Sequence, residues 1–187
     1  MHKKIICIFI VVTLVLSTLV GCGFRLKGFY NLKDKVYKGI AISVVSGPRN
    51  HDARILNKVK HGIKNYDFKY TDNLSLANYY IEIIEAKYNK EIQTKSATGL
   101  VKQYSLNFYV KYAIHQHSND NKFVVVKSID IINLEKDYTY EPQNVLGSDS
   151  EEDIIANNLR KEASDQILNV LTRVIDKKNS ISNNNAN

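Results

Sequence analysis

The fold is decided by residues 104–115, which read YSLNFYVKYAIH. Every even position holds an apolar or aromatic side chain, and most of the odd positions between them are polar. Strict alternation over this length indicates a β-strand with one buried face and one wetter face. We predict a core-facing row of Tyr104, Leu106, Phe108, Val110, Tyr112 and Ile114, and an outward row of Ser105, Asn107, Tyr109, Lys111 and His115.

Three further strands are predicted around this one. Residues 39–45 form a short apolar run rich in β-branched side chains, and we expect Ser46-Gly47-Pro48 to end it. Residues 79–84 lead into a polar stretch that reaches Thr94, and residues 122–132 are dense in valine and isoleucine and extend towards Tyr140. The polar residues 119–121 between the last two strands favour a hairpin turn.

Two helices are predicted from apolar stripes at helical spacing. The first carries Ile55, Leu56, Val59 and Ile63 on one face, with Asn50 or Asp52 as its cap. The second begins at Ser148 or Ser150, and the acidic residues 151–153 suit its positive end. Its apolar stripe consists of Ile155, Ala156, Leu159, Ala163, Ile167, Val170, Leu171 and Val174.

The element order is therefore strand, helix, three strands, helix. The strand-helix-strand unit favours a parallel pair with a right-handed crossover, whereas the hairpins favour antiparallel neighbours. We predict an α+β two-layer sandwich in which two helices pack on one face of a four-stranded mixed sheet.

The amino terminus has the pattern of a bacterial lipoprotein precursor. Lys3 and Lys4 precede an apolar run over residues 5–16, which is typical of a secretory signal and shorter than the roughly 20 residues that span a bilayer. An uncleaved transmembrane anchor is the alternative. Residues 19–22, Leu-Val-Gly-Cys, resemble the lipobox, in which the cysteine becomes the acylated first mature residue. The absence of Asp at position 23 favours the outer membrane over the inner one, as in enterobacterial lipoproteins.

The predicted organisation is a signal peptide over residues 1–21, one lipoprotein domain over residues 22–177 and a disordered polar tail over residues 178–187. Cys7 leaves with the signal and Cys22 carries lipid, so no internal disulfide can hold the mature domain. The formal charge of +7 falls to about +5 on cleavage, which suits an anionic partner such as lipid phosphate, or only solubility. Nucleic acid is not expected as a partner outside the cytoplasm.

No clustered motif points to catalysis or to a cofactor. His115 and His117 lie at i, i+2 and could offer two metal ligands, but no third follows nearby, and a solvated strand end explains them better. The acidic run 149–153 lacks the pattern of a calcium loop and indicates helix capping. We therefore expect no enzyme, metal or cofactor. Twelve tyrosines, several beside lysines, indicate either an interaction surface or simply a half-buried sheet.

Two segments carry a resemblance to a known family. Cys22-Gly23-Phe24-Arg25-Leu26-Lys27-Gly28 resembles the mature start of LptE, the lipopolysaccharide-assembly lipoproteins. Pro142-Gln143, Leu146 and Glu151-x-Asp153 before a long final helix resemble that family's carboxyl-terminal signature. The element order agrees as well, so the resemblance covers nearly the whole mature chain.

The resemblance implies a plug inside the outer-membrane barrel LptD, which helps the barrel to assemble and binds lipopolysaccharide. Basic residues that the family is thought to use for lipopolysaccharide fall near Ala97 and Ser148, and neither residue is basic here. Lys95 and Lys102 flank the first position and are the candidate lipopolysaccharide-binding residues, beside Cys22 for lipid attachment. The alternative is another outer-membrane lipoprotein that acts as an envelope scaffold without a lipopolysaccharide role; a hydrolase comes third.

Overall fold

The computed structural model describes residues 37–118, 120, 122–143 and 145–184. The predicted signal peptide, Cys22 and the amino-terminal part of the resemblance lie outside these residues. The helices and strands, in chain order, are β1 (Ala41–Asn50), α1 (Arg54–Asn65), β2 (Lys69–Tyr70), a 3-10 turn (Leu74–Leu76), β3 (Tyr79–Lys95), β4 (Val101–His117), β5 (Phe123–Thr139) and α2 (Val145–Asn184).

The sheet is mixed and has the order β2-β1-β3-β4-β5. The predicted parallel pairing of the first strand with the next long strand is confirmed, since β1 runs parallel to β3, while β3, β4 and β5 are antiparallel. The predicted α+β class is confirmed, but the described residues form a sheet of five strands rather than four. The additional strand, β2, contributes only Lys69 and Tyr70, which pair with Ala41 and Ile42. Two residues are too short to show any hydrophobic period in a sequence.

Ser46-Gly47-Pro48 bends β1 and does not end it, contrary to the prediction. The strand continues to Asn50 through a register shift between Ser46 and Arg49. Within the described ranges no strand pairs with this part of β1 on its other side, since β2 reaches only as far as Ile42, and Pro48 lies in the register shift, where proline is tolerated. Gly47 is required by a close approach, since a Cβ there would lie 2.8 Å from the Cα of Ile84.

The core lies between one face of this sheet and the two helices. The core-facing row predicted for β4 is confirmed, because Leu106, Phe108, Val110 and Ile114 are fully buried and Tyr112 nearly so. The predicted stripe of α1 is confirmed as well, with Ile55, Val59 and Ile63 inaccessible to solvent. Gly62 lies where the helices meet, and a Cβ there would lie 2.5 Å from Leu168 Cδ1.

Helix α2 is longer than predicted at both ends. It begins at Val145, so Ser148 and Ser150 lie inside its first turns instead of preceding it as caps. The Ser150 hydroxyl instead donates to the carbonyl oxygen of Leu146, and the Ser148 hydroxyl accepts from the Glu141 N–H. The helix continues to Asn184, into the segment for which a disordered tail is predicted. No proline or glycine interrupts this asparagine- and serine-rich segment. Among the described residues, no helix combines the length and apolarity that crossing a bilayer requires.

Candidate functional site

The hairpin between β3 and β4 brings the two candidate lysines together at one end of the sheet. Lys95 is the last residue of β3 and pairs with Val101, the neighbour of Lys102. The tip is closed by the Ser96 N–H, which donates to the Leu100 carbonyl oxygen over 2.7 Å. Gly99 has φ of +84°, a conformation that glycine adopts without strain. The structure thus places Lys95 and Lys102 on either side of one tight turn.

The start of α2 lies beside this turn. The N–H of Tyr140 donates to the carbonyl oxygen of Lys102 over 2.9 Å, which fixes the connection from β5 to α2 next to the hairpin. Leu146 follows in the first turn of the helix and is 83% exposed. We call residues 92–102 together with residues 140–153 the hairpin end.

The hairpin end combines exposed apolar side chains with charges of both signs. Ile92 and Leu100 are 50% and 61% exposed, and neither lysine has a carboxylate partner among the described residues. The surrounding charge is nevertheless acidic, because the exposed residues there and next to it include Glu91, Glu141, Asp149, Glu151 and Asp153. An anion at this end must therefore bind directly to Lys95 or Lys102, because the surrounding carboxylates repel it at longer range.

The two positions at which the family pattern fails differ in their surroundings. Ala97 lies exposed in the hairpin turn, where a long basic side chain would fit. Ser148 is 4% exposed and its hydroxyl accepts the Glu141 N–H over 3.2 Å. Ser148 therefore holds the turn before α2 in place, and a basic side chain at 148 would have to leave this buried position.

A network centred on Glu152 ties α2 to three strands, and the sequence patterns did not predict it. The carboxylate accepts hydrogen bonds from the hydroxyls of Tyr88 and Tyr138, at 2.9 and 3.0 Å, and pairs with Lys90. The Lys90 ammonium also lies 4.2 Å from the centre of the Tyr104 ring. The sequence predicts a helix-capping charge at Glu152; its side chain instead bonds to the sheet.

The pKa values of Glu152 and Lys90 reflect this network. Burial alone would raise the pKa of Glu152, but the bonds from Lys90, Tyr88 and Tyr138 bring that pKa below its ordinary value. Burial likewise would lower the pKa of Lys90, and the contacts with Glu152 and Tyr138 raise it. Tyr88, Lys90 and Glu152 thus form a charged contact that persists at neutral pH. Several of the tyrosines beside lysines therefore hold the domain together and do not form an interaction surface.

A buried ion pair ties α2 to the start of α1. The Arg160 side chain is inaccessible to solvent, and its Nε donates to Asp52 Oδ2 over 2.7 Å. The guanidinium carbon lies 5.3 Å from the Tyr88 ring centre and 5.6 Å from that of Phe108. Asp52 also accepts the N–H of Arg54, so this aspartate serves both the first turn of α1 and the buried arginine. In the sequence, Arg160 shows no sign of burial.

The open face of the sheet, the side turned away from α1 and α2, is polar in the half nearest the hairpin end, and it carries the exposed apolar side chains of Val125 and Ile131 in the other half. It is lined by the odd-numbered residues of β4 and their cross-strand neighbours. Three polar rows cross it, namely Lys87–Tyr109–Asn133, Asn89–Asn107–Glu135 and Glu91–Ser105–Asp137. An open depression of about 470 Å³ lies over the first two rows. No helix in the described part of the chain packs there.

The histidines at the other end of this face are engaged with neighbours. His115 Nε2 lies 3.0 Å from Glu82 Oε2, and the His115 ring stacks on Tyr80 with 4.1 Å between centres. His117 stacks on Phe123 at 4.8 Å. Within the described ranges, no group of three histidine, cysteine, aspartate or glutamate side chains is placed to hold a metal ion.

Known proteins share both the sequence pattern and the fold. Residues 37–171 match the family model described as LptE, lipopolysaccharide-assembly. The chain is similar to rare lipoprotein B from Shewanella oneidensis, with 18% identity, a TM-score of 0.57 and coverage of 74% of this chain and 98% of that one. It is also similar to lipoprotein B from Nitrosomonas europaea, with 20% identity, a TM-score of 0.59 and coverage of 79% and 88%.

A minor lipoprotein from Acinetobacter baumannii shares the fold at 12% identity and a TM-score of 0.51, over 68% of this chain and 87% of that one. No curated protein matches the sequence. These structural likenesses show the fold, and the family model spans most of the chain. The chain belongs to the LptE family of lipopolysaccharide-assembly lipoproteins.

Proposed function

We propose that this protein is an outer-membrane lipoprotein, held on the periplasmic side by an acylated Cys22, that associates with an LptD-like barrel as its plug. In this role it assists barrel assembly and the insertion of lipopolysaccharide into the outer leaflet. It acts by binding, without a catalytic step or a cofactor.

The observation that carries the proposal is the polar open face. The lumen of an outer-membrane barrel is polar, so a plug needs a broad contact surface on which polar groups are acceptable. The rows through Tyr109 and Asn107 supply amide, hydroxyl and charged groups across three long strands, whereas Ser105 in the third row is buried and donates to Glu135. Asparagine and tyrosine can both donate and accept hydrogen bonds, which lets them pair with lumen side chains or with trapped water.

The exposed apolar residues of the hairpin end support the lipopolysaccharide role. Leu100 and Ile92 offer contacts for acyl chains, and Lys95 and Lys102 offer charge for lipid phosphates. Because these lysines lie in an acidic neighbourhood, we expect them to contribute less than the barrel contact contributes to function. Barrel association is therefore the part of the proposal that the geometry supports best.

Site-specific photo-crosslinking in cells tests the open face. A photoreactive residue at Asn133 lies on this face, and one at Asn158, an exposed asparagine on α2, is the matched control. We expect Asn133 to crosslink to one large outer-membrane barrel and Asn158 to do so more weakly. Crosslinks from Asn133 to a different envelope protein would favour the scaffold function, and none at all would remove the open face as the contact surface.

A further inference from the structure

We infer that the end of the domain at which the chain enters rests on the surface of a phospholipid bilayer. We call this the entry end: residues 37–42, 67–79, 116–118, 120, 122–125 and 176–181. The inference rests on the proposed acylation of Cys22, and concerns a surface distinct from the three polar rows of the open face and from the hairpin end.

The sheet register places these segments together. Ile42, Tyr79, Gln116 and Val124 form one row across β1, β3, β4 and β5. Asn78 fixes the 3-10 turn there, because its side-chain oxygen accepts the Ala41 N–H over 2.7 Å and its carbonyl oxygen accepts the His117 N–H over 2.8 Å. The 3-10 turn and the start of β5 therefore lie at the same end of the sheet.

Helix α2 ends on the same side. It begins at the hairpin end, where Glu152 contacts β3, and by Asp176 it has reached the start of the described chain. The Tyr37 hydroxyl donates to Asp176 Oδ1 over 3.2 Å. Ile181 follows, exposed, about one and a half turns later.

Exposed apolar side chains lie around this end on separate segments. Leu76 in the 3-10 turn is 68% exposed, and Val124 and Val125 at the start of β5 are 53% and 52% exposed. Two segments that each present apolar residues at one end of a domain form a rim, which can enter the headgroup region of a bilayer without any rearrangement of the core.

The charge at this end suits anionic lipid. Among its described residues, the exposed carboxylates are Asp67, Asp72 and Asp120, and the half-buried Asp176 accepts from the Tyr37 hydroxyl. Lys60, outside this end, pairs with Asp72. Lysine near an anionic membrane surface adds attraction that falls off within a Debye length. The apolar rim and a surplus of lysine occur together here, whereas the hairpin end combines its apolar residues with a surplus of acid. The exposed lysines of the entry end are Lys38, Lys69, Lys122, Lys177 and Lys178.

The short segment between Cys22 and Tyr37 favours a bilayer as the partner of the entry end. Residues 22–36 join Cys22 to Tyr37, and a fully extended segment of that length spans only about 50 Å. An acylated Cys22 would hold the domain near the bilayer at high effective concentration, so weak contacts by Leu76 and Val124 would suffice. The hairpin end has no such tether among the described residues.

Tryptophan fluorescence tests the inference, because the natural chain contains no tryptophan. Three single variants, Leu76→Trp, Val124→Trp and Ile154→Trp, are purified from membranes as the full acylated protein. They are placed in vesicles of phosphatidylethanolamine and phosphatidylglycerol, with or without a brominated phospholipid. Ile154, on α2 and away from the entry end, is the matched control, since its exposure is similar to that of Leu76. Mass spectrometry of Cys22 on the same samples reports the anchor independently.

We expect brominated lipid to quench the emission of the Leu76→Trp and Val124→Trp variants and to leave that of the Ile154→Trp variant unchanged. Emission from the first two variants should also shift to shorter wavelength, and less so when phosphatidylglycerol is omitted. An acylated Cys22 with no quenching at positions 76 and 124, or with equal quenching at position 154, would overturn the inference and leave the proposed anchor intact. An unmodified Cys22 would overturn the anchor and this inference with it.

Discussion

Arg160 and Asp52 form an ion pair in the interior, with Arg160 Nε donating to Asp52 Oδ2 over 2.7 Å and the arginine side chain fully inaccessible. The pair joins the middle of α2 to the residue that leads into α1. Because the guanidinium also lies near the rings of Tyr88 and Phe108, one side chain connects both helices with two strands. Among the described residues, Arg160 Nη1 has no hydrogen-bond partner. The Asp52 carboxylate is therefore the main group that compensates the buried positive charge of Arg160.

Removing Asp52 should therefore cost more than removing one partner of an ordinary surface ion pair. Asp52→Ala leaves a buried cation uncompensated, for which we expect a loss of about 3–5 kcal/mol in the free energy of unfolding. The double variant Asp52→Ala with Arg160→Met should recover part of that loss, because the unpaired charge is gone. Urea unfolding measures both. Strictly additive losses would contradict a direct coupling between the two residues.

The Glu152 network should make stability depend on pH in the acid range. The folded-state pKa of Glu152 is below its ordinary value of 4.5, so its contribution is present above pH 4.5 and is lost as the pH falls through the folded pKa. Glu152→Gln should be less stable than the wild type at neutral pH, and the difference should shrink below pH 4.5. Glu151→Gln, one residue away and exposed, is the control. A stability difference between Glu152→Gln and the wild type that stays constant with pH would contradict the role assigned to the Glu152 carboxylate.

The facing of β4 predicts opposite outcomes for adjacent aromatic residues. Phe108 is fully buried, and Phe108→Ala should cost about 3–5 kcal/mol in the free energy of unfolding. Tyr109 lies on the open face and is only partly buried, so Tyr109→Ala should change stability much less. Denaturant titration compares the two. Equal losses of stability would mean that Tyr109 is packed as tightly as Phe108 and that the open face is covered.

Lipopolysaccharide binding can be assigned to one end of the domain by charge reversal. Lys95→Glu with Lys102→Glu should weaken binding, and the loss should be larger at low salt because exposed charges are screened as salt rises. Lys58→Glu with Lys64→Glu changes the net charge equally on α1, outside both the hairpin end and the entry end, and serves as the control. Equal losses in the two double variants would mean that binding follows net charge, and unchanged binding in the Lys95 and Lys102 variant would exclude these lysines.

Sequence patterns predicted the parts of the fold that repeat with a regular period. The alternation from Tyr104 to Ile114 and the stripe of α1 each bury several side chains, so many residues carry the same signal. The patterns missed the parts set by single long-range contacts. Gly47 permits β1 to pass close to Ile84, and β2 needs only two residues to pair. Neither the close approach at Gly47 nor the two-residue pairing of β2 produces a repeating hydrophobic pattern in the sequence.

The candidate site divides in the same way. Lys95 and Lys102, which flank Ala97 in the sequence, lie on either side of one turn, because local sequence sets a hairpin. The contacts of Glu152 and Arg160 were not predicted, because charged residues in a helix ordinarily face solvent. Their partners, Tyr88 and Asp52, are distant in the sequence, and only the packed sheet and helices bring them into contact.

Association with a barrel is the central proposal, and co-purification tests it most directly. The acylated protein is isolated from outer membranes in mild detergent, and the proteins that remain bound are identified by mass spectrometry. We predict a stable complex with an LptD-like barrel that survives moderate salt, because a broad polar and packed contact does not depend on a few exposed charges. Recovery of the acylated protein without any barrel, or with a different assembly partner, would contradict the proposal.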